Sequence, residues 1–387
     1  MMRDVLVIGV GMTQFGKFPE RSLRDLGREA CWSALKDSGI QPGRVEAGFC
    51  GNALGGRVQK EHGIGQSVLW EVGIRGIPII NIENACASGS SAFREAWIGV
   101  ASGMYDVAIA VGVEKTVMKK GTMLDIGDAD LEVKIGDVFP GLFAMRAQRH
   151  MYEYGTTLEQ MAKVSVKNHH NGCLNPYAQY KKEFTVEEVL HSTMIADPLT
   201  LYSCCPNSDG AAAAIVASKN VAKKSSAKPI KILASVLSTG LYHNKKDLAM
   251  FDLDFKVAEK AYEMAGVGPE DINLAEVHDA FTIAELMHYE GVGFCKVGES
   301  GRLIDEGETE IGGRIPVSPS GGLQAKGHPV GASGVAQIVE IVWHLRGEAG
   351  LRQVANARIG LAHIMGGGTE GDVGACTIHI LERVDEI

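Results

Sequence analysis

Two short motifs recur in the chain in the same order, and this repetition constrains the fold more than any other feature. Gly39-Ile40-Gln41-Pro42-Gly43-Arg44-Val45 follows one amphipathic segment, and Gly266-Val267-Gly268-Pro269-Glu270-Asp271-Ile272 follows another. Ala87-Ser88-Gly89 opens a helical pattern carrying Glu95 and Trp97. Ala332-Ser333-Gly334 opens one carrying Glu340 and Trp343. An internal correspondence of this kind marks a duplicated supersecondary unit. The first copy reads as β-α-β-α-β-α-β, which predicts a mostly parallel sheet covered by helices. Two such sheets each have an apolar face to bury. A five-layered α/β/α/β/α sandwich, with helices in the middle, buries both. The turn at Cys86 and the turn at His328 then occupy equivalent places and face each other across a pseudo-two-fold axis.

Local signals fill in this outline. Ser22 can cap a helix with Leu23, Leu26, Ala30, Ala34 and Leu35 on one face, and Gly39 ends it. Strands are expected over 45–53, 77–82 and 105–113, the second of them buried, with a helix over 66–72. Between 115 and 195 the repeat breaks off, and the segment reads as an insert lying over the site. Connections of that length are usually functional. The expected organisation is a first half made of 1–115 and 196–225, a loop domain over 116–195, and a second half over 226–387.

Composition narrows the class of function. The 387 residues are 45% hydrophobic, enough for a large core. The net charge of −9 and the lack of a long basic run argue against nucleic acid as a partner. No apolar run approaches the ~18 residues a membrane span needs. Met1-Met2-Arg3-Asp4 leads straight into a strand-like run, without the pattern of a secretory leader. Eight cysteines are scattered with no C-x-x-C pair, which disfavours a zinc ribbon or thioredoxin-like site and fits a reducing cytoplasm.

The stretch Asn84-Ala85-Cys86-Ala87-Ser88-Gly89 carries the chemistry. A thiol sits between a strand and a helix start, where free N–H groups and the helix dipole favour the thiolate. The plainer reading, a buried inert cysteine, competes with this one. Three second-half turns each offer a histidine at a strand or helix end: Val277-His278-Asp279-Ala280-Phe281, Gly327-His328-Pro329-Val330-Gly331, and His363-Ile364-Met365-Gly366-Gly367-Gly368. A lone histidine in such a turn is more often structural. Three opposite a thiol tip the balance towards catalysis.

Together these four motifs resemble the thiolase superfamily along essentially the whole chain. The His-Asp-x-Phe form is similar to that of sterol-carrier-protein-type and archaeal acetoacetyl-CoA thiolases. The resemblance implies CoA-dependent cleavage or formation of a 3-oxoacyl-CoA, with CoA as substrate and no permanent cofactor or metal. It makes Cys86 the nucleophile and His328 its activating base, poised near neutral pH. His278 and His328 would donate to the enolate oxygen, and the backbone N–H groups of Cys86 and Gly366 to the tetrahedral oxyanion. CoA contacts are expected at Arg146, Lys167, His169 and Ser208, with Ser320 and Gly321 along the pantetheine channel. Met123, Phe143, Met145 and Met161 would line an adaptable pocket, or simply pack the insert. The resemblance also implies a homodimer or larger, and a small zinc-ribbon/OB-fold partner subunit.

Two departures from the family pattern matter. Ile364 and Ala280 stand where relatives place a second cysteine, so the enolate lacks its usual proton donor. His363 either takes that role or merely orders its turn. The missing thiols favour a bulky substrate such as benzoylsuccinyl-CoA over acetoacetyl-CoA. A Claisen-type synthase or aldolase, and a non-catalytic acyl-CoA or lipid-binding protein, are the competing readings. The aldolases tend to lose the cysteine that is present here, and synthases with a Cys-His-Asn set have no histidine at 278.

Overall fold

The computed structural model describes residues 3–116, 134, 136, 138–240, 247–369 and 372–385. The first half contributes β1 (Val5–Met12), β2 (Ala47–Gly51), β3 (Ile79–Ile82), β4 (Val107–Lys115) and β5 (Asp209–Ser218). The second contributes β6 (Ile230–Ser238), β7 (Leu274–Glu276), β8 (Ile359–Thr369) and β9 (Asp372–Arg383). The helices that position the site are α1 (Leu23–Ser38), α2 (Ile64–Glu71), α3 (Ser88–Ala101), α4 (Phe139–Tyr154), α5 (Leu158–Leu174), α6 (Asp252–Ala265), α7 (Thr282–Gly291) and α8 (Val330–Arg346).

The repeated motifs build the same local structure twice. Ser22 and Asp25 form a capping box at the start of α1, and Gly39 ends it in the left-handed region at φ 70°. Gly266 ends α6 in the same way at φ 71°. Each helix is followed by a short 3-10 turn opened by proline, Pro42–Arg44 in one half and Pro269–Asp271 in the other.

Strand order carries the duplication to the whole sheet. The nine strands run β3-β2-β4-β5-β1-β6-β9-β8-β7. Outward from the centre, β1, β5, β4 and β2 are mirrored by β6, β9, β8 and β7. Val317 bridges Ala275 in parallel, where the first half has β3. Three expectations change. The sheet is mixed rather than mostly parallel, because β5 and β9 run antiparallel to both neighbours. The halves share one ladder, since β1 and β6 pair through Leu6↔Lys231 and Val7↔Ile230. Pairing there satisfies backbone groups that two open edges would leave unmet. The strand expected to be buried over 77–82 is instead the edge strand β3, with Ile80 50% exposed.

The layers follow from which faces are apolar. Leu26 and Leu35 of α1 pack with Ile8, Ile109 and Ile215 on the outer face of the first half. Val257 of α6 and Leu286 of α7 pack with Ile378 and Ile380 on the outer face of the second. Between the half-sheets, Phe93 and Trp97 of α3 join Val335, Ile338 and Val342 of α8. These side chains meet Val5 and Val7 from one side and Ile230 and Ile232 from the other. Each large side chain buried this way contributes about 1.5–3 kcal/mol. The five-layered sandwich is therefore present, with two central helices.

Those helices cross backbone to backbone. A Cβ at Gly89 would lie 2.4 Å from the carbonyl oxygen of Gly331, and one at Gly334 would lie 2.5 Å from Cβ of Ser90. Only glycine permits this approach, and it draws the two helix starts together. Among the described residues, no helix is long and apolar enough to cross a membrane.

Candidate active site

Cys86 projects from a strained turn between β3 and α3. Ala85, just before it, has φ 47°, a left-handed conformation that costs a non-glycine residue about 1 kcal/mol or more. The turn is held by Ala87 N–H to the Asn84 carbonyl at 2.9 Å and Asn84 N–H to Ser88 Oγ at 2.9 Å. Gly366, at the end of β8, packs directly on it. A Cβ there would sit 2.8 Å from Ala87 N and closer still to the Asn84 carbonyl. The backbone N–H groups of Gly367 and of Cys86 itself point at the sulfur. Gly366→Ala is therefore expected to cost about 1–3 kcal/mol through overpacking, and to displace the sulfur. Urea unfolding and CoA-dependent turnover measure the two effects. Unchanged values for both would show that the strand end does not hold the turn.

His328 lies on the far side of the pseudo-two-fold. Its Nε2 is 3.2 Å from Cys86 Sγ. Its Nδ1 is 2.8 Å from Ser333 Oγ, and that hydroxyl donates to the Pro329 carbonyl at 3.0 Å. Because Ser333 spends its proton on the carbonyl, its oxygen accepts from Nδ1–H. The lone pair of His328 is thereby left on Nε2, facing the thiol. The His328 N–H donates to Ser208 Oγ at 3.0 Å, and Glu114 Oε2 takes Gly331 N–H at 3.1 Å and Ala53 N–H at 2.8 Å. Glu114 thus ties the turn at 52–54, after β2, to the start of α8. Its burial raises its carboxyl to about 7.

His278 completes the cluster. One atom each from Cys86, His278 and His328 lies within 4.8 Å of the others. The two imidazoles meet edge to face with centroids 5.5 Å apart. Nδ1 of His278 is buried without a partner among the described residues. A thiol and two imidazoles at this spacing can attack, hold and reprotonate a carbonyl. The same donor set can bind a soft divalent metal.

Electrostatics correct the expectation of an ionised thiol beside a near-neutral base. Burial pushes the Cys86 thiol up to about 12, against the opposing pull of the Gly367 N–H. Burial also holds His328 down to about 4 and His278 well below its usual range, the latter helped by the neighbouring imidazoles. Desolvation outweighs the helix start here, and the resting pair is a neutral thiol facing a neutral imidazole.

Other expected residues turn inward. Lys167 Nζ contacts Glu285 at 2.7 Å, Asn168 at 2.7 Å and the Val317 carbonyl at 2.6 Å, so its three donors are committed. It braces the His278 turn, because Asn168 Nδ2 donates to Asp279 at 2.9 Å. Arg146 donates to the carbonyls of Leu248 and Met250 and stacks 4.3 Å over Phe251. Ser320 donates to Glu276 at 2.6 Å, and Ser208 to Gln179 at 2.6 Å. Gly321 fits against Gly172. His169 is buried among Tyr180, Phe184 and Tyr202, which lowers its pKa to about 4. Lys167, Arg146, Ser320 and Ser208 are each held by a protein partner, and His169 packs among aromatic rings.

His363 sits behind His278, sealed from solvent. Its Nδ1 accepts the His278 N–H at 3.4 Å, and its Nε2 contacts Asp254 at 2.9 Å. In the insert, Phe143 stacks on Phe281 at 4.3 Å, Met161 is core and Met145 is exposed. Met123 lies outside the described residues. Sequence reasoning missed Ser333, Glu114, Asp254 and His288. Ser333 lay in a motif read only for its repetition, and the other three carry no spacing signal.

A duplicated α/β sandwich that sets a thiol and an imidazole at its two central helix starts, with a second imidazole beside them, has the make-up of an acyl-transferring enzyme. Residues 5–220 match the family description "Thiolase, N-terminal domain", and 234–382 match "Thiolase C-terminal domain-like". The chain belongs to the thiolase family and is an acyltransferase of the thiolase type. It is 44% identical to acetyl-CoA acetyltransferase of Methanothermobacter thermautotrophicus, over 99% of this chain and 100% of that one. It is 43% identical to benzoylsuccinyl-CoA thiolase subunit BbsB of Thauera aromatica, over 95% of each. The solved Ltp2-ChsH2(DUF35) aldolase superposes with a TM-score of 0.86 at 26% identity, covering 100% of this chain and 99% of that one. Human mitochondrial 3-ketoacyl-CoA thiolase gives 0.73 at 20% identity over 99% of each, a likeness of fold.

Proposed function

We propose that this chain is a CoA-dependent thiolase working through an acyl-enzyme on Cys86. The contact of His328 Nε2 with Cys86 Sγ at 3.2 Å, its tautomer set by Ser333, carries the reading. His328 takes the thiol proton as sulfur attacks the 3-oxo carbon. The Cα–Cβ bond breaks, and its electron pair leaves on the thioester enolate. His278, whose ring lies beside Cys86 and His328, holds the enolate oxygen. The proton returns from the His328 imidazolium to the enolate carbon, and a buried imidazolium is a strong donor. His363, with both nitrogens engaged, orders this turn. The N–H groups at Cys86 and the 366–367 strand end hold the oxyanion of the tetrahedral intermediate. CoA thiol, deprotonated in turn by His328, then takes the acyl group, and the proton returns to Cys86.

The acyl group we favour is bulky, as in benzoylsuccinyl-CoA. Ala87 packs with Cys86, and Gly366 and Gly367 lie against this turn, so the residues packed on it are small. Acetoacetyl-CoA is the second reading, supported by the 44% identity to the acetyltransferase. A homodimer is supported by the open edge strand β3 with its exposed Ile80. A small second subunit is supported by the subunit BbsB and by the ChsH2(DUF35) aldolase among the similar proteins. We place the protein in the cytoplasm, where all eight thiols stay free.

One screen tests both levels. Purified protein is given a panel of 3-oxoacyl-CoAs with free CoA, and the Cys86 peptide is weighed after incubation with acetyl-CoA. An acylated peptide and cleavage of an aryl or branched substrate ahead of acetoacetyl-CoA are expected. A preference for acetoacetyl-CoA overturns the bulky substrate. No acylation and no cleavage of any substrate overturns the thiolase reading.

A further inference from the structure

Behind the site, a single carboxylate grips two imidazoles, and each imidazole grips one backbone group of the same residue, His278. Asp254, in the first turn of α6, contacts His288 Nδ1 with Oδ2 at 2.6 Å and His363 Nε2 with Oδ1 at 2.9 Å. His288 Nε2 lies 3.1 Å from the His278 carbonyl oxygen. His363 Nδ1 lies 3.4 Å from the His278 backbone nitrogen. Asp254, His288 and His363 are all fully buried. The His288 ring is itself clamped, stacking on Phe251 at 5.1 Å and meeting His363 at 4.4 Å.

The protons can be counted. A carbonyl only accepts, so His288 Nε2 carries hydrogen. A backbone N–H only donates, so His363 Nδ1 accepts and its Nε2 carries hydrogen towards Asp254. One more proton must lie in the short Asp254–His288 contact. Both backbone groups of His278 are then paired.

We infer that Asp254 is a positioning residue for the carbon–carbon cleavage step. Through His288 and His363 it holds both backbone groups of His278, the N–H and the carbonyl, and so aims the His278 ring at the enolate oxygen. The inference rests on the enolate role given to His278 above. Nδ1 of that ring is buried without a partner among the described residues, so the direction of the ring depends on how firmly the backbone at His278 is held. Displacing a catalytic group by about 1 Å costs on the order of 10²-fold.

An amide can replace the carboxylate without breaking the arrangement. In Asp254→Asn, Oδ1 accepts from His363 Nε2–H and Nδ2 donates to the bare Nδ1 of a neutral His288. Asp254→Ala removes both contacts. Two reactions are followed: cleavage of a 3-oxoacyl-CoA by CoA, and exchange of labelled CoA into acetyl-CoA. Exchange passes through Cys86 but forms no enolate, so it does not call on His278.

Asp254→Ala is expected to lower kcat for cleavage about 10²-fold, with KM and the exchange rate held within about threefold. Asp254→Asn is expected to keep both reactions within about threefold of the parent. Should Asp254→Ala fail to fold, His288→Phe replaces it with the same two expectations, since it keeps the ring against Phe251. Equal loss of cleavage and exchange, no loss of either, or an Asn variant as impaired as Ala overturns the inference. A parent protein with neither reaction overturns the thiolase reading instead, and the inference with it.

Discussion

Cys86→Ser is expected to fold as the parent does and to lose 3-oxoacyl-CoA cleavage by about 10⁴-fold or more. The hydroxyl can keep the place of the sulfur in the turn, because the Gly367 N–H aimed at that atom finds an oxygen instead. Its Tm should therefore stay within about 2 °C of the parent. Its chemistry should not survive. An alcohol is far less acidic than a thiol, and His328, held to about 4 by burial, is too weak a base to compensate. Turnover with CoA and mass measurement of the 86 peptide check the outcome. A serine variant retaining a tenth of the parent rate would remove sulfur from the mechanism.

His328→Ala is expected to lower kcat by about 10²–10⁴-fold, the usual worth of a positioned general base. The same change should slow alkylation of Cys86 by iodoacetamide at neutral pH. The sign of the pH dependence follows from the thiol, which burial has pushed up to about 12. The reactive thiolate lies on the alkaline side, so the parent's alkylation rate should climb from pH 7 to 9 without a plateau. A preformed ion pair would give a flat profile over the same range. In the alanine variant the rate should be lower at pH 7, with the gap closing as hydroxide takes over the base's work. An unchanged rate at pH 7 would place the base elsewhere.

The imidazole–thiol pair explains how burial and reactivity coexist. Each partner alone is pushed towards its neutral form by desolvation. Transfer of one proton between atoms 3.2 Å apart then creates charge only when a substrate carbonyl is present to receive it. Backbone donors at the helix start and at the 366–367 strand end are already in place for that charge, so little reorganisation accompanies it.

The local sequence determined a good deal of this protein. Caps and breakers acted over a few residues, so Ser22, Gly39 and Gly266 set helix ends as read. The paired motifs announced the duplication, and the strand-to-helix turns singled out Cys86, His278 and His328. Tertiary structure decided what depends on partners distant in the chain. Lys167, Arg146 and Ser320 stand as CoA-site residues on the family resemblance, and only the fold shows the protein partner that each one finds. The protonation of the nucleophile was decided the same way, because desolvation is set by everything packed around an atom. Asp254 meets its two imidazoles 34 and 109 residues away in the chain. No local periodicity encodes such a meeting. It exists because α6, α7 and β8 of the second half pack together, and the Cys86–His328 contact in turn exists because the two copies meet at glycines 89 and 334 and bring their helix starts into contact.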